Sequence, residues 1–317
     1  MRSLYRSLAF AAAAVLAVSA AACGSSGSSA GPGGGSSPAA TGTFPAAVTT
    51  QTGVVHIKAR PRSIVSLSPT ATEMLYAIGA GSQVKAVDSD SDYPSQAPMT
   101  KLSAFQPNVE SIVSYKPDLV VISNNINGLV KHLAQFSIPV LYLPAPTGLN
   151  GVYSEFSQLG QATGHVNQAS REDAAIRSQI RQIAASVPKH AKPLSYYYEL
   201  DQTYYSVTST TFVGSLLGLL GMKSIADSAS GAASSGGYPQ LSSEYVVKAN
   251  PAYIILADTV CCHQDAATVA KRPGWSSLAA VKDGHVIPLN DDIASRWGPR
   301  VVDLLRTVAT AIKQGSG

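Results

Sequence analysis

Charge, cysteine and tryptophan are all scarce in this sequence. Of 317 residues 13% are charged, three are cysteines and two are tryptophans. Three cysteines are too few for a disulfide-built scaffold, so the fold must rest on an apolar core. Past residue 22 no apolar run approaches the roughly 20 residues of a membrane span. Without Arg2 and Arg6, which belong to the leader described below, the 23 Lys and Arg become 21 against 19 Asp and Glu, a balance of +2. With no basic run either, that balance excludes a nucleic-acid-binding surface. No G-x-S-x-G elbow joins a strand to a helix, and neither H-E-x-x-H nor a phosphate-binding glycine loop occurs. The six histidines are scattered singly, which argues against a bare zinc or manganese site.

The beginning of the chain reads as an export leader. In "MRSLYRSLAFAAAAVLAVSAAAC" two arginines precede an apolar core and a small-residue cleavage site, so residues 1–22 are a signal peptide. Cleavage before Cys23 would expose its thiol for lipidation and anchor the chain outside the cytoplasm, at the cell membrane. Ala20 stands where lipobox motifs usually carry leucine. The following "GSSGSSAGPGGGSSPAATG" has no residue able to seed a core and reads, over residues 23–45, as a flexible tether.

Beyond the tether, short apolar runs alternate with helical patterns. Strands are expected at "GVVHIKA", "SIVSL", "VKAVD", "DLVVIS" and "PVLYLP", with helices at 71–78, 109–115 and 129–136. The second half repeats the scheme with strands at "LSYYYEL", "AYIILA" and "HVIPL" and helices in "FVGSLLGLLG", "SSEYVVKAN" and 293–312. Alternation of this kind predicts an α/β fold with mostly parallel sheets flanked by helices. "NVESIVSYKPDLVVIS" and "SSEYVVKANPAYIILA" share one plan, a helix, then Lys-Pro or Asn-Pro, then a buried strand, pointing to an internal duplication. Between the halves, "NQASREDAAIRSQIRQIAASVP" carries apolar residues at helical spacing and predicts one helix of about 30 Å. The expected layout is a first lobe at 46–150, a connecting helical segment at 151–188 and a second lobe at 189–317, with the ligand in the cleft between lobes.

Four stretches, "RSIVSLSPTATEMLYAIGAG", "SDYP", "NVESIVSYKPDLVV" and "YPQLSSEYVVKANPAYIIL", together resemble solute-binding proteins of ABC importers. They are most similar to the helical-backbone class that delivers cobalamin and ferric siderophores. The resemblance implies two Rossmann-like lobes joined by a long backbone helix, a monomer with no cofactor and no catalysis, and a membrane permease–ATPase complex as partner. In that class one glutamate of each lobe docks onto permease arginines, and the match places these at Glu73, in "SPTATE", and Glu244, in "PQLSSE". It implies a ligand wall of Asp90, Tyr93 and Phe105 in the first lobe, and of Tyr205, Tyr238, Asp292 and Arg296 in the second. Phe105 and Tyr238 stand where the cobalamin binders carry tryptophan. Arg296 and Arg300 are the only positive charges offered to an anionic chelate, which favours a cobalamin-like corrinoid over a ferric siderophore or haem.

The remaining cysteines lie in "ADTVCCHQD". Export favours a disulfide, but adjacent Cα atoms are 3.8 Å apart, below the usual disulfide range, so a bond between Cys261 and Cys262 would be strained. With His263 they offer three metal ligands and no evident fourth, and no metal is expected. The rival readings are an extracytoplasmic hydrolase and an adhesive surface lipoprotein. Glu73 and Glu244, on equivalent helices of two lobes, would lie too far apart for a glycosidase pair.

Overall fold

The computed structural model of the protein describes residues 42–315. The signal peptide and Cys23 lie outside the described residues. An antiparallel hairpin, β1 (Ala46–Thr50) and β2 (Gly53–Ile57), opens the chain. β3 (Ile64–Leu67) leads into α1 (Pro69–Ala77); Ser68 caps α1 by accepting from Ala71 N, and Pro69 occupies the first turn, where no N–H is needed. β4 (Val84–Asp88), β5 (Met99–Leu102), α2 (Val109–Ser114), β6 (Leu119–Ile122), α3 (Leu129–Ala134) and β7 (Val140–Tyr142) complete a five-stranded parallel sheet of order β5-β4-β3-β6-β7.

Two helices follow, α4 (Leu149–Thr163) and α5 (Val166–Ser186), separated by Gly164 in the left-handed region (φ 80°). The expected long helix is α5, whose 21 residues span about 31 Å. α4 packs along it and begins at Leu149, inside the stretch assigned by sequence to the first lobe.

The second sheet uses β8 (Leu194–Glu199), α6 (Phe212–Gly218), β9 (Met222–Ser224), α7 (Ser243–Ala249), β10 (Tyr253–Leu256), α8 (Ala266–Ala270), α9 (Ala279–Lys282) and β11 (Val286–Pro288). Its four strands are parallel in the order β11-β10-β8-β9. Here β8, β9, β10 and β11 take the places that β3, β4, β6 and β7 hold in the first sheet. Each sheet therefore reverses its strand order beside its own first strand, the place where α/β sheets open a ligand crevice at their carboxyl ends.

The duplication extends to backbone conformation. α2 ends at a left-handed Lys116 (φ 50°) before Pro117, and α7 at a left-handed Asn250 (φ 45°) before Pro251. Both sheets are covered on both faces, as parallel sheets must be. Tyr196 and Tyr198 of β8 point into a core shared with β3, β6, α4, α5 and α1, while Tyr197 packs on the far side against Trp275. One apolar core thus runs through both lobes and the helices between them.

One expected element differs. The helix predicted over 293–312 is broken into α10 (Asp291–Ser295) and α11 (Val301–Gly315). The break is "RWGPR", where Pro299 cannot continue a helix and Arg296, Trp297 and Arg300 turn toward the first lobe. The short strands β1, β5 and β9 have no counterpart among the expected strands. Among the described residues no helix is long and apolar enough to cross a membrane.

Candidate functional site

The carboxyl ends of the two sheets enclose a cleft of about 490 Å³. Its first-lobe wall comes from the loops after β3, β4, β5 and β6 and includes Thr70, Asp90, Asp92, Phe105 and Asn124; its second-lobe wall includes Asp292, Ser295, Arg296 and Trp297. Larger hollows lie elsewhere, about 1020 Å³ around His56, Arg62 and Phe136 and about 960 Å³ around His285 and Arg306. The first sits at the opposite, amino-terminal ends of the strands, where parallel sheets do not place ligands, and the second runs along the edge strand β11 beside α11.

Exposed aromatic and aliphatic side chains mark the same edge. Tyr93 (46% exposed), Phe105 (67%), Tyr205 (41%), Tyr238 (44%) and Val260 (59%) all stand on loops that follow a strand's carboxyl end. Tyr205 and Tyr238 are brought together by a short antiparallel bridge from Tyr205 to Gln240 and by the Ser206 N–H, which donates to Pro239 O. Phe105 and Asp90 line the cleft, whereas Tyr93, Tyr205 and Tyr238 are not part of its lining.

The charges of the cleft are spent on one another. Arg296 Nη1 donates to Glu73 Oε1 (3.2 Å) and Asp92 Oδ1 (3.0 Å); Nη2 donates to Asp90 O (2.8 Å) and lies 2.7 Å from Asp292 Oδ1. Arg300 holds Glu73 with a two-pronged contact and covers the Tyr93 ring at 4.2 Å. Arg296 therefore lines the cleft as a bridge between lobes, with both terminal nitrogens already engaged. Asp292 is pushed up by burial, against the opposing pull of Arg296. Trp297 Nε1 donates to Glu155 Oε2 of α4 at 2.9 Å, and burial lifts that carboxyl to about 8.

This network corrects the expectation for Glu73. Its residue is 2% exposed and both carboxylate oxygens are engaged, so it displays no charge to a partner. Glu244 is exposed in the first turn of α7, where its own amide and Ser242 hold its carboxyl below the usual range. Its structural equivalent is Glu110, which sequence reasoning passed over. Glu110 and Glu244 are each the second residue of their helix, after caps Asn108 and Ser242, and each stands seven positions before the proline. The signal was present in the duplicated helix–proline–strand segment.

Behind the second-lobe wall, Arg272 reaches Glu199 with Nη1 at 2.5 Å and Nη2 at 2.6 Å, beneath the loop that carries the paired cysteines. Cys261 and Cys262 are bonded to each other, so they offer no thiolate to a metal. Among the described residues no group of three or more His, Cys, Asp or Glu is arranged as a metal site.

A family model described as "Periplasmic binding protein" matches residues 64–293, from β3 to α10. The chain belongs to this periplasmic binding protein family. It is 31% identical over 268 residues to an uncharacterized ABC transporter substrate-binding lipoprotein of Bacillus subtilis, with 81% of this chain and 82% of that protein covered. It is 32% identical over 253 residues to a vitamin B12-binding protein of Pectobacterium atrosepticum, covering 77% and 86%. Among solved structures, a solute-binding protein of Staphylococcus epidermidis superposes with a TM-score of 0.68 at 26% identity, over 80% of this chain and 99% of that one. A periplasmic haem-binding protein of Roseiflexus shares the fold at 21% identity and a TM-score of 0.70, covering 82% and 100%. Like others of its family, the protein is built as a two-lobed binding scaffold.

Proposed function

We propose that this protein is the substrate-binding lipoprotein of an ABC importer, which captures a large, flat, nearly neutral chelate between its lobes and delivers it to the membrane permease. A cobalamin-like corrinoid fits this description best. The observation that carries the reading is the cleft itself, which is lined by the aromatic side chains of Phe105 from the first lobe and Trp297 from the second. Arg296 is the only cation in its lining and is matched by Glu73, Asp92 and Asp292. Aromatic faces stack on a conjugated ligand at little entropic cost, while a neutralised arginine gives a ferric chelate of net negative charge no counter-ion. Anchoring through Cys23 and an extracytoplasmic location follow from the leader.

Docking onto the permease falls to Glu110 and Glu244, which are equivalent, exposed and one to each lobe. Two separated carboxylates, each able to take an arginine fork, fix the orientation of the complex more than they add affinity. Relatives named for vitamin B12 support the corrinoid reading.

The test is a visible-spectrum titration of the purified mature chain with cyanocobalamin, haemin and a ferric catecholate. Saturable binding of cyanocobalamin at low micromolar concentration or tighter is expected. Preference for the anionic ferric chelate would overturn the ligand class.

A further inference from the structure

The loop leaving β10 presents an apolar surface that the proposed ligand wall, as drawn from the sequence, does not include. Its main-chain donors are turned inward: Val260 N and Cys261 N donate to the Asp291 carboxylate at 2.9 and 2.7 Å. Gln202 Nε2 and Gln264 Nε2 both donate to Cys262 O, at 3.3 and 3.1 Å. What the loop turns outward is the Val260 side chain, 59% exposed, and Cys261 of the disulfide, also exposed.

The anchoring places this surface. Asp291 opens α10 beside Asp292, which lines the cleft, and Gln202 lies in the loop that carries Tyr205. The disulfide is therefore anchored both to the start of α10, whose next residue lines the cleft, and to the loop that carries Tyr205. A disulfide neither donates strongly nor carries charge, and its polarizable sulfurs pack favourably against π-systems. The vicinal bond also removes thiols that would seek hydrogen bonds or metals.

We propose that Val260 and the Cys261–Cys262 disulfide form the second-lobe lip of the ligand cleft, packing their apolar surface on the edge or face of the conjugated ligand. The lip rests on the reading of the cleft given above. Bound ligand then covers the disulfide, and the lip adds to the selection for a flat, uncharged partner.

Two variants and one footprint test the lip. Parent, Val260→Asp and the double change Cys261→Ser/Cys262→Ser are titrated with cyanocobalamin, haemin and a ferric catecholate as full mature chains. In parallel, the parent is treated with a phosphine, which takes the disulfide to two thiols as the phosphine becomes its oxide, with one water supplying the oxide's oxygen and the two thiol protons. The thiols are counted by N-ethylmaleimide mass labelling, with and without the bound probe. The expected result is an affinity loss of about three- to tenfold in each variant, and reduction slowed at least severalfold by the bound probe. A parent that binds no probe overturns the cleft reading and the lip with it. A parent that binds, with unchanged affinity in both variants and no protection of the disulfide, overturns the lip alone and leaves the cleft standing.

Discussion

Arg300 grips Glu73 across the lobe boundary, Nε to Oε2 at 2.9 Å and Nη2 to Oε1 at 2.6 Å, over 227 positions of sequence. Arg296 adds a third donor to the same carboxylate. An ion group this enclosed contributes less by its own attraction than it costs to break, because a widowed charge stays buried. Glu73→Ala takes the carboxylate from Arg300 and leaves that guanidinium unpaired beside Arg296, which keeps Asp92 and Asp292. A loss of about 3–5 kcal/mol in urea unfolding is expected. A loss under about 1 kcal/mol would show that the group relaxes into water and does not tie the lobes.

The docking prediction follows from the same burial. Glu110→Ala with Glu244→Ala should leave fold and ligand affinity nearly intact, because both carboxylates stand exposed in solvent, where substitution changes stability little. Transport by the assembled importer should fall steeply, while the Glu73 variant should lose stability first. Normal uptake by the Glu110/Glu244 double variant would remove the docking assignment.

The two-lobed α/β plan was legible because parallel strands buried on both faces announce themselves as apolar runs, and prolines 117 and 251 mark where helices stop. Phe105 lies in the cleft lining, but residue pattern alone does not single it out, since an aromatic in a polar loop reads the same wherever the loop lies; its candidacy came from the resemblance. The network around Glu73 was not legible either. A glutamate near a helix's start reads the same whether solvated or buried, and its partners lie more than 200 positions away, in a stretch that the periodicity of Ile293 to Ile312 made look like one helix. Only the chain reversal at Pro299 brings Arg296 and Arg300 to it. The lesson of Glu110 is the opposite: the repeat itself held the answer, since aligning "NVES" with "SSEY" pairs it with Glu244.

Stability should fall as pH rises. Burial lifts Asp88 to about 6 and Glu155 to about 8, and burial with the neighbouring Glu199 lifts Asp258 to about 7. A carboxyl raised on folding binds its proton more tightly in the native state, so its contribution is full below the unfolded value. That contribution is lost as pH climbs from about 4 through the raised values, by up to about 1.4 kcal/mol per pH unit for each group titrating. Urea midpoints should therefore be higher at pH 5 than at pH 8, and Glu155→Gln should flatten the upper part of the slope. A midpoint that rises across this window would contradict the burial of these carboxyls.

Phe105 and Tyr238 stand on opposite lobes, separated by 133 positions, and both hold exposed rings at the carboxyl edges of their sheets. If one flat ligand lies between them, each ring is covered on binding, and each truncation to Ala should cost about 1.5–3 kcal/mol, roughly one to two decades of affinity. Arg296 cannot serve as the discriminator between ligand classes, because its replacement also unties the lobes. Salt can. For a nearly neutral corrinoid, affinity should stay within about threefold between low and high salt, whereas an anionic chelate would weaken as its field is screened. Titrations of the parent and the two aromatic variants at both salt levels check this: full affinity in both variants would mean that the ligand does not sit between these rings.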